Sequence, residues 1–156
     1  MSGVQIVFKE GPLTYTPADN STIKGGDVVA AGSAGRCVVA GAGALNVLGI
    51  ALNDAIAPED VTSAASGDPL TLAAVPANTK VAVAYGGMIV DGVTYAADAA
   101  EGVALVAAAN GDVTPLTGFA AGQDQANVNF ATIIGYCAEP GGVTVSTKAT
   151  GRVRTR

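Results

Sequence analysis

Short apolar runs separated by glycine, aspartate, asparagine or proline recur along the whole chain. Strands are predicted at "VQIVF" (4–8), "LTYT" (13–16), "DVVAA" (27–31), "RCVVA" (36–40), "LNVLGIAL" (45–52) and "LTLAAV" (70–75). Further runs are "TKVAVAY" (79–85), "GMIV" (87–90), "VTYAA" (93–97), "VALVAA" (103–108), "ATIIGYCA" (131–138), "GVTVST" (142–147) and "RVRT" (152–155). The segments between them, such as "KGGD", "AGSAG", "YGG", "VDGV", "ANGD" and "EPGG", are turn chemistry. Glycine and asparagine accept positive φ, and aspartate caps its own turn. Several runs alternate with period two. In "TKVAVAY", Lys80, Ala82 and Ala84 face one way and Val81, Val83 and Tyr85 the other; in "GVTVST", Val143 and Val145 oppose Thr144 and Ser146.

Many short strands with closely spaced turns predict an all-β fold, a compact β-barrel or β-sandwich with at most one or two short helical turns. The helical turns are placed at "APEDVTSA" (57–64), where Pro58, Glu59 and Asp60 suit a helix start, and at "GQDQANV" (122–128). Alanine-rich "AADAAEGVALVAAAN" (96–110) has helical propensity, but Gly102 and the Val-Leu-Val spacing oppose a long helix. One internal echo stands out. "VLGIALNDAIAPED" (47–60) and "IIGYCAEPGG" (133–142) share an apolar pair, a glycine, a bulky residue, a small one and then an acidic turn. It reads as two similar corners where glycine lets a strand bend, or as coincidence. The expected organisation is an N-terminal strand or arm over 1–24, packed on the core or on a neighbour, a barrel or sandwich core over 25–147, and a basic C-terminal strand or tail over 148–156.

Composition sharpens this picture. The 156 residues make one domain, 49% apolar but only 4% aromatic and without tryptophan. Alanine and valine must therefore fill the core, and each buries little area. Charged residues are only 13%, below the usual quarter. A weakly charged, apolar chain aggregates unless its surface is covered, which points to a subunit of something larger. The start, "MSGVQIVFKEG", lacks a basic segment followed by a long apolar run, and "CVVAGAGALNVLGIALN" (37–53) is short for a membrane span and broken by glycine and asparagine. The expectation is a soluble protein made in the cytoplasm. Cys37 and Cys137 each lie in an apolar run and read as reduced, buried small hydrophobes, with a long-range disulfide as the alternative.

Candidate chemistry is sparse. The chain has no histidine, so the commonest general base and the triads and zinc sites built on it are missing. "AGSAG" (31–35) matches a nucleophile elbow only loosely and reads as a hairpin loop; "GAGALN" (41–46) puts Asn46 where a dinucleotide fingerprint needs glycine. The aspartates are scattered singly, with no calcium-loop spacing. No enzyme, catalytic residue, cofactor or metal is expected. An unrecognised enzyme would need two close carboxylates in a pocket, Asp91 with another. The net charge of −5 disfavours direct nucleic-acid binding. Yet Lys148, Arg152, Arg154 and Arg156 are half of the eight basic residues. As a strand, "GRVRTR" sets its three arginines on one face. That strip reads either as a charged edge strand that discourages aggregation or as a surface that docks on an acidic partner.

Several stretches together resemble small capsid decoration (head-stabilising) proteins of tailed bacteriophages. "FKEGPLTYTPADNSTIKGGDVVAAG" (8–32) resembles their opening, "VLGIALNDAIAPED" their strand before an acidic turn and "VAVAYGGMIVDG" (81–92) their central hairpin. "ADAAEGVAL" (97–105) resembles the segment after it, and "IIGYCAEPGGVTV" (133–145) their closing strands. The resemblance spans nearly the whole chain; extra sequence near 60–70 and 117–130 and the arginine tail depart from the short members. It implies a β-rich knob, a trimer, seated outside an icosahedral head. There it would bridge neighbouring major capsid subunits and hold the expanded shell against the pressure of packaged DNA. The expected partners are the major capsid protein and other copies of the chain, with no membrane. The expected location is the outer capsid surface of the virion, after synthesis in the host cytoplasm. Val4, Ile6 and Phe8 and the arginines Arg152, Arg154 and Arg156 are the candidate capsid or inter-subunit contacts, and removing 148–156 is expected to weaken head binding. The alternative is a tail- or fibre-associated β-domain that binds a receptor or surface.

Overall fold

The computed structural model describes residues 11–60, 78–116 and 132–156. It is all-β, with strands β1 (Leu13–Tyr15), β2 (Thr22–Ile23), β3 (Val28–Ala31), β4 (Cys37–Val39), β5 (Val47–Ala51), β6 (Ala55–Ile56) and β7 (Val81–Ala84). These are followed by β8 (Ile89–Thr94), β9 (Ala104–Ala107), β10 (Val113–Pro115), β11 (Ile133–Cys137) and β12 (Thr150–Thr155). Two five-stranded antiparallel sheets form, in the orders β1-β7-β5-β3-β4 and β8-β12-β11-β9-β10, with a small ribbon β2-β6 beside the first. Neither sheet closes into a barrel.

Written in that direction, the two sheets are the same motif used twice. Each unit has a tight hairpin (β3–β4, β9–β10), then a central strand (β5, β11), then a strand paired to it (β7, β12). The match extends to individual hydrogen bonds. Ala51 N–H donates to Asp27 O as Cys137 N–H does to Val103 O, and Leu52 N–H to Ala82 O as Ala138 N–H does to Arg152 O. Ala40 N–H donates to Val28 O as Leu116 N–H does to Ala104 O. Even a side-chain bond recurs: Ala82 N–H donates to Asn53 Oδ1 at 2.8 Å, and Arg152 N–H to Glu139 Oε2 at 3.1 Å. The echo between 47–60 and 133–142 is therefore structural. Gly49 and Gly135 occupy equivalent bulges, where Leu48 and Ile134 drop out of the pairing register. Each glycine is required by close approach. A Cβ on Gly49 would run into the carbonyl oxygen of Ala84, and one on Gly135 into that of Arg154.

The core has two parts. Val28, Ala30, Ile50 and Ala84, on one face of the first sheet, join Val90, Leu105, Ala107, Val113, Ile134, Cys137 and Val153 of the second in one buried cluster. Val29, Cys37, Ala51, Val81 and Val83, on the other face of the first sheet, pack with Ile23 and Ala55 of the ribbon. The first sheet is thus covered on both sides, which is why the period-two pattern of "TKVAVAY" gives Val81, Val83 and Ala84 all buried. Cys37 and Cys137 fall in different clusters, both buried and unpaired. Burial pushes the Cys37 thiol up, away from reactive thiolate.

Some sequence expectations fail in the structure. "GMIV" and "VTYAA" are not two strands around a turn. β8 runs continuously through Asp91 and Gly92, which bulge opposite Arg152, so the Asp-Gly pair bends a strand instead of ending one. "GVTVST" is not a strand: only Val143 pairs, with Ala99, and the chain then turns, Thr147 N–H donating to Thr144 O. β2, β6 and β10 are too short for a periodic signal. Residues 58–60 are helical, as expected from Pro58, Glu59 and Asp60. "VQIVF", "LTLAAV" and "GQDQANV" lie outside the described residues.

Two predictions follow from the duplicated geometry. Gly49→Ala and Gly135→Ala should each destabilise the protein by about 1–3 kcal/mol, because the new methyl meets backbone that cannot swing away; urea unfolding midpoints check this. The hairpin turns are equivalent also: Ala34 (φ 54°) stands where Asn110 (φ 59°) does, each before a glycine with positive φ. Alanine is strained in this left-handed region, whereas asparagine tolerates it. Ala34→Asn should therefore raise stability by roughly 0.5–1 kcal/mol in the same assay.

Candidate interaction surface

β12 alternates as its sequence requires. Arg152, Arg154 and Arg156 are exposed, while Gly151, Val153 and Thr155 are buried. It is not an edge strand, however. It sits between β11 and β8, so the reading of the arginines as an edge guard fails. Removing 148–156 would take out an interior strand of the second sheet, so a binding loss in that truncation would report folding.

The arginine face is the outer face of the second sheet. Beside Arg154 lie Ile89 on β8 and Tyr136 on β11, the direct cross-strand partners of Arg154. The Arg154 guanidinium stands 5.7 Å from the centre of the Tyr136 ring, within cation–π range. Ala104 pairs with Tyr136 from the next strand, and Val106 continues the face beyond it. Ile89 is 64% exposed, the most exposed large apolar residue among those described. At one side Arg152 Nε approaches Asp91 Oδ2 at 4.0 Å. Asp91 therefore faces an arginine. A hollow next to the face is lined by Ile89, Glu101, Tyr136, Ala138 and Arg154. The result is an apolar strip with an aromatic ring and exposed positive charge, a composition typical of protein contact surfaces.

The groups behind this face are held firmly. Tyr95 is buried, its hydroxyl donating to Arg152 O at 2.8 Å. Burial, with the neighbouring Cys137, pushes that phenol well above its usual range, so it stays a neutral donor. Glu139 accepts from Arg152 N–H and pairs with Lys148 at 3.2 Å. Lys148 thus serves the fold beside β12, not the outward arginine strip. Val4, Ile6 and Phe8 lie outside the described residues.

Elsewhere, charged groups hold loops together. Arg36 grips Glu59 with two hydrogen bonds, at 2.8 and 2.5 Å, and holds that carboxyl down at about 2. Because the folded pKa is lowered, this contribution is present above the ordinary carboxylate pKa and is lost as pH falls towards 2. Asp27 is pushed up chiefly by burial and, further, by the charges of Asp112 and Asp54, although Lys24 N–H donates to it at 2.8 Å. Among the described residues no group of three or more Asp, Glu, Cys or His comes together to hold a metal ion, and no helix is long and apolar enough to cross a membrane.

Comparison with known proteins bears on the class first: the chain is an all-β domain whose fold is shared with a solved structure. The particular likeness is to the crystal structure of the head fibre gp8.5 N base of bacteriophage phi29, at a TM-score of 0.55 and 13% sequence identity. The match covers 93% of this chain and 94% of that one. No protein-family model matches the chain, and no curated protein matches it.

Arg152→Ala and Arg154→Ala should each cost less than about 1 kcal/mol, since both side chains are solvated and their contacts are of the exposed kind. Thermal melts followed by circular dichroism should show wild-type cooperativity, which makes these variants clean probes of binding.

Proposed function

We propose that the chain is a non-enzymatic structural protein of a bacteriophage head, bound to the outside of the capsid. The observation that carries this reading is the shared fold with a phage head-fibre base across almost the full length of both chains. The exposed apolar and arginine-bearing sheet face supports it, because that face offers adhesive contact without reactive groups. In this reading the major capsid protein is the partner. Many weakly held copies across subunit seams together stabilise the expanded shell, since multivalent contact multiplies modest affinities. Arg152, Arg154 and Arg156 contribute contacts to the capsid or to neighbouring copies, with Val4, Ile6 and Phe8 as further contact residues.

The fibre-base likeness favours one second reading. The chain would then be an attachment base for a projecting fibre, and it would add little to shell strength.

The test mixes purified protein with expanded heads that lack it, sediments the heads and measures bound copies and the temperature of DNA release. Saturable binding with release delayed by several degrees is expected. Binding at few sites with no delay supports the fibre-base reading. Absence from the pellet at any concentration overturns both.

A further inference from the structure

Two backbone hydrogen bonds cross the seam between the units. Gly43 N–H donates to Ala107 O at 2.9 Å, and Gly111 N–H donates to Ala40 O at 3.3 Å. The second bond comes from the hairpin turn Ala109–Gly111, whose twin in the first unit is Ser33–Gly35. The twins differ in their surroundings. A Cβ on Gly35 would meet nothing within 4 Å, whereas one on Gly111 would lie 2.9 Å from Val39 Cγ1 and 3.0 Å from Asp27 Cβ. The turn of the second unit is therefore docked on the first, and Asp27 belongs to the surface it docks on.

Docking brings an acid of each unit to one hollow, whose lining includes Lys24, Asp27, Asn110 and Asp112. Asp27 and Asp112 are both half-buried. Burial pushes both carboxyls up, and the charges of Asp112 and Asp54 push Asp27 further. Lys24 works against this, through its N–H bond to Asp27 Oδ2 at 2.8 Å and through its charge. Asp54 is exposed and accepts from Gly25 N–H at 2.8 Å. Among the described residues, Lys24 and Asp54 are thus the charged groups that act on the pair.

The repeated motif itself asks for neither acid. The counterpart of Asp27 in the second unit is Val103, whose carbonyl accepts from Cys137 N–H as that of Asp27 does from Ala51 N–H. The counterpart of Asp112 is Arg36. Each closes its hairpin turn, Arg36 O accepting from Gly32 N–H and Asp112 O from Ala108 N–H. Valine and arginine serve the fold at these places, so the facing carboxylates are a property of the seam and not of the strand pattern. We propose that Asp27 and Asp112 make the joint between the two units responsive to acid. Ionised, they repel across the hollow and the units part readily; protonated, they let the units close. Because both folded carboxyls titrate above the ordinary aspartate range, their stabilising contribution is fully present below that range and is lost as pH rises through the folded values.

Hydrogen exchange of the full chain, followed amide by amide by nuclear magnetic resonance between about pH 8 and about pH 5, supplies the test, with the intrinsic pH dependence of exchange divided out. In wild type the protection of the Gly43 and Gly111 amides should rise at least about threefold on acidification. The Leu52 and Ala138 amides, bonded within their own units to Ala82 O and Arg152 O, should change less. Asp27→Asn and Asp112→Asn keep the side-chain shape and remove the charge. Each should bring the seam amides, already at the alkaline end, near the protection wild type reaches at the acid end, and should flatten their pH response. Melting curves establish that the variants fold; where one does not, the other and the wild-type titration decide. Seam protection that stays flat with pH in wild type overturns the proposal. So does an equal rise at Leu52 and Ala138, which would place the response in the whole fold, or a wild-type response that persists in a folded asparagine variant.

Discussion

At the centre of each sheet the backbone of a neighbouring strand lies where a side chain on Gly49 or Gly135 would have to be. That close approach is the constraint on which the rest depends. It forces a glycine into the middle of β5 and β11, drops Leu48 and Ile134 out of register, and so bends each central strand. With the bend come the hairpin on one side and the returning strand on the other, in the same positions in both units. Small side chains make this possible. A core built from valine, alanine and few aromatics keeps backbones close, and close backbones leave little room for error at two positions.

Using one motif twice in a chain has a consequence that using it once does not. The two units bond their backbones alike, yet they cannot sit in the same surroundings, because one stacks its sheet on the other. The first sheet is covered on both faces at its centre, and its covered positions are apolar. The second keeps an outer face, and there the sequence changes character: Arg154 at the place of Ala84, Tyr136 at the place of Ile50. The difference between the units is where the fold meets its exterior, and it is the reason the outer face of the second sheet, not a pocket, is the functional candidate.

A surface suited to contact needs shape, apolar area and a few charges. Arg154 over Tyr136, Arg152 beside Asp91, and the Tyr95 hydroxyl fastening the backbone at Arg152 supply these. The likeness to a phage head-fibre base is a likeness of fold.

How much of this was legible beforehand depended on the range of the interaction involved. Period-two runs and turn residues sufficed for the all-β class, for most strands of both units and for the outward alternation of the arginines, because strand geometry is local. The echo of Val47–Ala51 and Ile133–Cys137 was visible as well, since a glycine demanded by close approach leaves its mark at one position. Pairing order was not. Only tertiary contacts put β12 between two strands, turned Asp91 and Gly92 from a turn into a bulge, and left the short strands β2, β6 and β10 to be held by their neighbours. Exposure of the outer face was undetermined for the same reason: alternation tells which residues share a face, but whether water or another sheet covers that face is decided by segments far away in the chain.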